Sequence, residues 1–139
     1  MFRIHVLITI AMMSVKIYTF GYKFDDHEQK LVSRNVSRVF DIRDLINDLP
    51  PRLGNGLRVR DLSGNDQDVR DAIMANPSAQ QCVDNVVDDI MKALDNTKKL
   101  TIAIGCKSGR HRSITVAIEA RHRLEQRGVI CNVHNLYFQ

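Results

Sequence analysis

The stretch Leu100-Thr101-Ile102-Ala103-Ile104-Gly105-Cys106-Lys107-Ser108-Gly109-Arg110-His111-Arg112-Ser113 decides the fold of this chain. Residues 100–104 are a largely apolar run of strand length, suited to the centre of a sheet covered on both faces. After the glycine-containing loop, residues 111–127 place Ile114, Ala117, Ile118 and Leu124 at helical spacing, ending before Gly128. A strand that breaks into such a loop and opens a helix leaves backbone N–H groups without carbonyl partners, and the helix dipole adds positive potential there. Gly105 and Gly109 relieve Cβ clashes where the backbone must wrap an oxyanion. Arg112 can offer two parallel N–H bonds to a phosphate, and Lys107, Arg110 and His111 add charge. The unit 100–127 is therefore expected to be a phosphate-binding strand–loop–helix, with Cys106, Lys107, Ser108, Gly109, Arg110, His111, Arg112 and Ser113 around the anion.

Outward from this unit, Val129-Ile130-Cys131-Asn132-Val133 reads as the next strand, parallel to 100–105 through a right-handed crossover. Val15-Lys16-Ile17-Tyr18-Thr19-Phe20 alternates and predicts a strand ending at Gly21; Val39-Phe40-Asp41-Ile42 predicts a second, shorter one. Residues 26–36 predict a short helix or loop with Val32 and Val36 on one side. Asp48-Leu49-Pro50-Pro51-Arg52-Leu53-Gly54-Asn55-Gly56 is strong loop chemistry. Val69, Ile73 and Met74 mark a brief helix after Asp66. A longer one carries Val83, Val86, Val87, Ile90, Met91 and Leu94 and ends at Asn96-Thr97-Lys98-Lys99. The expected fold class is α/β: a single domain with a mostly parallel sheet flanked by helices.

A length of 139 residues fits one domain and can bury a core without disulfides or structural metal. The net charge is only +4, but its distribution is uneven. Lys98, Lys99, Lys107, Arg110, Arg112, Arg121, Arg123 and Arg127 face only Glu119 and Glu125 in the same stretch. Such a segment attracts anions, whether small phosphates or nucleic acid, although Arg121, Arg123 and Arg127 read equally well as a solvated helix face. Cys82, Cys106 and Cys131 are an odd, widely spaced set with no CxxC pair or His/Cys cluster, so no metal is expected and a reducing, cytoplasmic setting is. Residues 1–12 are apolar, too short for a membrane span and without a clean small-x-small cleavage site. They read as a dispensable extension, an extra strand or a misassigned start ahead of Met13, and no membrane partner is expected. Residues 135–139, Asn-Leu-Tyr-Phe-Gln, read as the remnant of a protease-cleavable tag, leaving 13–134 as the domain.

Cys106 and Arg112 are separated by five residues and followed by Ser113, the Cys-x5-Arg-Ser spacing of cysteine-dependent phosphatases. In such a site a thiolate held by loop amides attacks phosphorus while the arginine grips equatorial oxygens. Cys106 would then be the nucleophile, Arg112 the clamp and Asp61 or Asp66 the general acid. A cysteine at a strand end is also often just a small buried hydrophobe.

A second resemblance covers more of the chain. Ala103-Ile104-Gly105-Cys106 followed by Gly109, His111, Arg112 and Ser113 resembles the Gly-Cys-Thr-Gly-Gly-x-His-Arg-Ser loop of the C-terminal domain of the RapZ family, a family of RNase adapter proteins. Phe20-Gly21-Tyr22-Lys23 is similar to its Phe-Gly-Phe-Lys, Val39-Phe40-Asp41-Ile42-Arg43 to its Phe-Asp-Val-Arg, and Leu62-Ser63-Gly64-Asn65-Asp66 to its Thr-Gly-x-Asp. Arg127-Gly128 and the strand at Val129 fall where the family has Arg-Gly-Lys and its last strand. The resemblance implies a non-catalytic, cofactor-free domain that binds a phosphorylated amino sugar and contacts structured small RNA. It places Asp41 and Arg43 in the pocket wall, Ser63, Gly64 and Asp66 beside it, and Cys106, Lys107, Ser108, Gly109, His111 and Arg112 on the phosphate. Lys23 would meet RNA, joined by Arg121 and Arg123 if one basic face forms.

The sequence also departs from the family pattern. Lys107-Ser108 replaces Thr-Gly, Asn47-Asp48-Leu49-Pro50 stands where a histidine is expected, and the basic C-terminal tail is absent or cut off by the tag. No Gly-x4-Gly-Lys-Ser/Thr motif occurs, so the chain reads as a stand-alone version of the domain, encoded by a phage or mobile element and working as a homo-oligomer. The leading expectation is a module for a phosphorylated small molecule, an amino-sugar phosphate or a nucleotide-like one, with RNA as a further partner; the alternative is the cysteine-dependent phosphatase.

Overall fold

Two apolar strands, β1 (Ser14–Gly21) and β3 (Lys99–Cys106), run parallel in register at the middle of the domain, with Val15 opposite Leu100, Ile17 opposite Ile102 and Phe20 opposite Gly105. The computed structural model describes residues 13–139, so the expectations for residues 1–12 lie outside it. β2 (Arg38–Asp41) flanks β3 and β4 (Ile130–Asn135) flanks β1, giving the order β2-β3-β1-β4. All four strands are parallel, which sharpens the expected mostly parallel sheet.

The strand after the loop is parallel to 100–105, as expected, but it is seated against β1 rather than β3. β3 has a neighbour on each side already, β1 and β2. Two strand spacings of about 4.8 Å equal roughly one helix diameter, so a crossover helix reaches the next-but-one place as easily as the adjacent one.

Among the described residues four α-helices cover the sheet: α1 (His27–Ser33), α2 (Gln67–Met74), α3 (Pro77–Ala93) and α4 (Arg112–Gln126). α2, α3 and α4 share one core with Val15, Ile17, Ile102 and Ile104. The expected apolar positions of α3, Val83, Val86, Val87 and Ile90, are all buried there. The side chain of Asn76 caps α3 by accepting the Ser78 N–H at 2.9 Å, and Pro77 opens its first turn.

α1 lies on the opposite face, where Leu31 packs with Phe20 and Ala103. The apolar side of α1 thus centres on Leu31 rather than on Val32, which is 77% exposed. A helix of two turns buries only a narrow stripe, and residues 100° apart cannot both lie in it. Val36 reaches the same cluster after the chain reverses at Asn35, whose φ is 56°. Residues 135–137, read as a tag remnant, lie against the domain: Thr19 donates to Asn135 at 2.7 Å, the Leu136 N–H to the Thr19 carbonyl at 3.0 Å, and the Tyr137 hydroxyl to Asp26 at 2.6 Å.

The chain leaves β1 toward β2 across the α1 face and leaves β3 toward β4 across the α4 face. The carboxyl ends of these neighbouring strands are therefore a topological switch point, where open α/β sheets take their ligands.

Candidate functional site

Residues 105–113 follow β3 at this switch point and enter α4. Their path depends on missing side chains. A Cβ on Gly21 would lie 2.4 Å from the Ser108 carbonyl carbon, and one on Gly109 would lie 2.7 Å from the Gly21 nitrogen. Gly109 also has φ +73°, so it carries both a left-handed conformation and a backbone-to-backbone contact. The Tyr22 N–H donates to the Cys106 carbonyl and the Lys23 N–H to the Lys107 carbonyl, both at 2.9 Å, which extends the β1–β3 pairing into the loop.

The loop amides divide into two sets. The Gly109 N–H donates to the Cys106 sulfur at 3.2 Å. The amides of Lys107, Ser108, Arg110 and His111 meet no acceptor among the described residues. His111 is the N-cap of α4 and makes no side-chain capping bond, so the first helical N–H groups are also open. This is the local chemistry of an anion cradle.

The side chains behave differently from what their sequence positions suggest. Arg112 sends Nη1 to the carbonyls of Arg43 at 3.1 Å and Leu45 at 2.6 Å, fastening the segment after β2 to the helix start. Its Nε and Nη2 have no acceptor among the described residues. Arg110 donates Nε to the Leu62 carbonyl at 2.7 Å, and Gly64 donates its N–H to the Arg110 carbonyl at 2.8 Å. His111 Nε2 lies 2.9 Å from the carbonyls of both Val59 and Leu62; two acceptors assign the ring proton to Nε2. Burial pushes the His111 pKa below the ordinary 6.5, with Arg110 and Arg112 acting in the same direction, so the neutral ring is favoured. The loop is thus tied to residues 43–45 on one side and 59–64 on the other, and Lys107 projects as an exposed cation.

Cys106 is 1% exposed. Its sulfur accepts from Gly109 and donates to the Ser113 hydroxyl at 3.4 Å, which gives it a place in closing the loop. Asp66, a candidate general acid, accepts the Ser63 N–H at 2.8 Å, and Asp61 holds Arg58 at 2.8 Å. Asp41 and Arg43 form a bidentate pair with contacts down to 2.6 Å, and the guanidinium of Arg43 sits 3.8 Å from the centre of the Tyr22 ring. Arg43 holds the Asp41 carboxyl below its usual range. Gly64 lets the 61–66 turn press on the helix start, since a Cβ there would lie 2.7 Å from Thr115 N. The candidates Asp41, Arg43, Ser63, Gly64 and Asp66 therefore do gather around the loop.

The three RNA candidates do not gather. Lys23 is at the carboxyl end of β1, while Arg121 and Arg123 lie on the last turns of α4, which runs back toward the amino end of the sheet. Eleven residues of helix, about 16 Å, separate Arg112 from Arg123. Arg121 is 3.6 Å from Glu125, and Arg123 is paired with Asp84.

Two hollows open beside the loop. One of about 460 Å³ is lined by Asp61, Ser63, Asp66 and Arg110 together with the C-terminal residues 137–139. The other, about 550 Å³, runs along the segment between β2 and α2 and is lined by Leu49, Pro51, Arg52, Arg58, Arg60 and His111, among others. Sequence reading treated residues 48–56 as a loop and left these arginines out of the site. Their recurrence at 52, 58 and 60 beside turn residues was the available signal. Among the described residues no helix is long and apolar enough to cross a membrane, and no His/Cys/Asp/Glu group is placed to hold a metal ion.

A nucleotide-binding protein of Agathobacter rectalis is 33% identical over 128 residues, covering 88% of this chain and 38% of its own length. A nucleotide-binding protein of Ruegeria sp. is 34% identical over 121 residues, covering 84% and 37%. One of Sorangium cellulosum is 32% identical over 114 residues, covering 78% and 29%. The chain spans less than two fifths of the length of these curated relatives. A family model for the RapZ C-terminal domain matches residues 13–137, and with these relatives it shows that the chain belongs to the RapZ C-terminal domain family.

Proposed function

We propose that residues 106–113 hold the phosphate of a phosphorylated small molecule and that the domain is a binding module. The observation that carries this is the set of open amides. Lys107, Ser108, Arg110, His111 and the uncapped start of α4 present N–H groups with no acceptor among the described residues, at the switch point of a parallel sheet. Arg112 adds its free Nε and Nη2 as a fork. Asp41 and Arg43 flank the ligand from the end of β2 and the segment after it, and Ser63, Gly64 and Asp66 from the turn bound to Arg110. The names of the relatives, nucleotide-binding proteins, support a phosphate-bearing ligand, nucleotide-like or a sugar phosphate. The burial of the Cys106 thiol, 1% exposed, favours binding over phosphoryl transfer.

The test is a melting series with inorganic phosphate, adenosine 5′-monophosphate and glucose 6-phosphate on the wild type and on Arg112→Gln. Saturation to a hundred times the dissociation constant stabilises the wild type by about 2.7 kcal/mol. The variant responds much less. An unchanged melting point in every ligand, or equal shifts in both proteins, would falsify the proposal.

A further inference from the structure

The 550 Å³ cleft beside the loop carries an observation that a single phosphate does not use. From 42 to 58 the chain has no helix or strand, a long stretch of a kind uncommon in a small domain and usually kept for function. Within it the turn at 53–57 closes through the Leu53 N–H to the Leu57 carbonyl and the Gly56 N–H to the Leu53 carbonyl. That turn makes Arg52 and Arg58 partners in an antiparallel bridge. Like charges directly opposite each other destabilise a bridge, and an anion held between them would offset that. Arg58 has Asp61 at 2.8 Å; Arg52 has only the Gly56 carbonyl at 2.7 Å; Arg60 has no carboxylate partner among the described residues. Among the described residues no carboxylate lines the cleft, and Leu49, Pro50, Pro51 and Val59 supply an apolar strip along it. His111, the residue where the phosphate loop becomes α4, also lines it.

We infer that this cleft receives a second anionic group of the same ligand, so that the molecule bound is one with two separated phosphates. The inference rests on the phosphate-loop reading above. The phosphate on residues 106–113 anchors one end, the apolar strip packs the ring system, and Arg52, Arg58 and Arg60 meet the far phosphate. A 550 Å³ volume is of the size that holds a nucleotide or a sugar bisphosphate. Charge-assisted hydrogen bonds to the far phosphate make this selection strong although the arginines are exposed.

Calorimetric titration separates the possibilities. Adenosine 3′,5′-bisphosphate is compared with adenosine 5′-monophosphate, and glucose 1,6-bisphosphate with glucose 6-phosphate. At least one bisphosphate binds the wild type about tenfold or more tighter than its monophosphate. Preference in the adenosine pair alone points to a nucleotide, and in the glucose pair alone to a sugar. The triple variant Arg52→Gln, Arg58→Gln, Arg60→Gln, whose changes are all at exposed side chains, loses that preference while its monophosphate affinity and melting point stay close to wild type. Equal affinities within both pairs in the wild type, or a preference that survives the triple variant, overturns the inference and leaves the loop reading standing. Absence of binding by every phosphate, monophosphates included, overturns both.

Discussion

Two loops meet at the carboxyl end of the sheet, and they are built on opposite principles. Residues 105–113 are wedged: a Cβ on Gly105 would lie 2.3 Å from the Phe20 ring, Gly109 touches the backbone of residues 20 and 21, and the arginine and histidine side chains each give a nitrogen to backbone carbonyls. Residues 46–60 are open: Ile46 and Leu57 are 59% and 53% exposed, and Gly54 and Gly56 have nothing near their missing Cβ atoms. A cradle for a group of fixed shape gains from rigidity, because its donors are then placed before the ligand arrives. A wall that reads the rest of the ligand can vary without disturbing the fold. On the proposed function, the first loop anchors the ligand and the second selects it.

The sharpest way to break this comparison uses two glycines with the same backbone and different surroundings. Gly109 and Gly56 have φ of +73° and +82°, so both pay the left-handed penalty when changed to alanine. Only Gly109 also drives a Cβ into backbone. Urea denaturation should show Gly109→Ala losing about 3 kcal/mol and Gly56→Ala about 1 kcal/mol. Equal losses would mean that the wedged loop relaxes freely and is no more rigid than the open one.

A pair of arginines gives the next effect. Arg112→Gln strands the carbonyls of Arg43 and Leu45 and is expected to destabilise by about 1–2 kcal/mol. Arg58→Gln removes an ion pair whose side chains are 45% and 53% exposed, and should cost less than about 0.5 kcal/mol. Similar costs would remove the distinction between an arginine fastened to distant backbone and an exposed one in a local ion pair.

His111 allows a test by pH. Its native pKa lies below the ordinary 6.5, so as pH falls through that value the unfolded chain takes up the proton first. The stability that depends on the neutral ring is complete above 6.5 and is lost progressively below it. His111→Gln should flatten this slope. A variant that keeps the wild-type pH profile would place the titration elsewhere.

The smallest effect on ligand affinity is expected at the sulfur. Cys106→Ser keeps an acceptor for the Gly109 N–H and should change phosphate affinity by no more than about twofold, with a stability cost of about 1 kcal/mol. Hydrolysis of an aryl phosphate by the wild type that disappears in Cys106→Ser would instead establish the phosphatase chemistry.

Much of this was legible from the sequence because it depends on near neighbours. An apolar run of strand length, glycines at 105 and 109 and a 3.6-residue apolar period after Ser113 are enough to specify a strand, a loop and a helix whose first amides are free. The same local logic found β1, β2, α2 and α3. What tertiary structure alone decided are the contacts between distant segments. β4 pairs with β1 because β3 is already flanked on both sides, and no local pattern records which edge is vacant. Arg112, read as a phosphate fork, spends half its guanidinium on carbonyls 67 and 69 residues away. Arg121 and Arg123, read as a basic face, are paired with carboxylates. Arg52 and Arg58 become neighbours only when the turn at 53–57 closes. A charged side chain's type is written in the chain, but its partner is set by the packing of elements far apart in sequence.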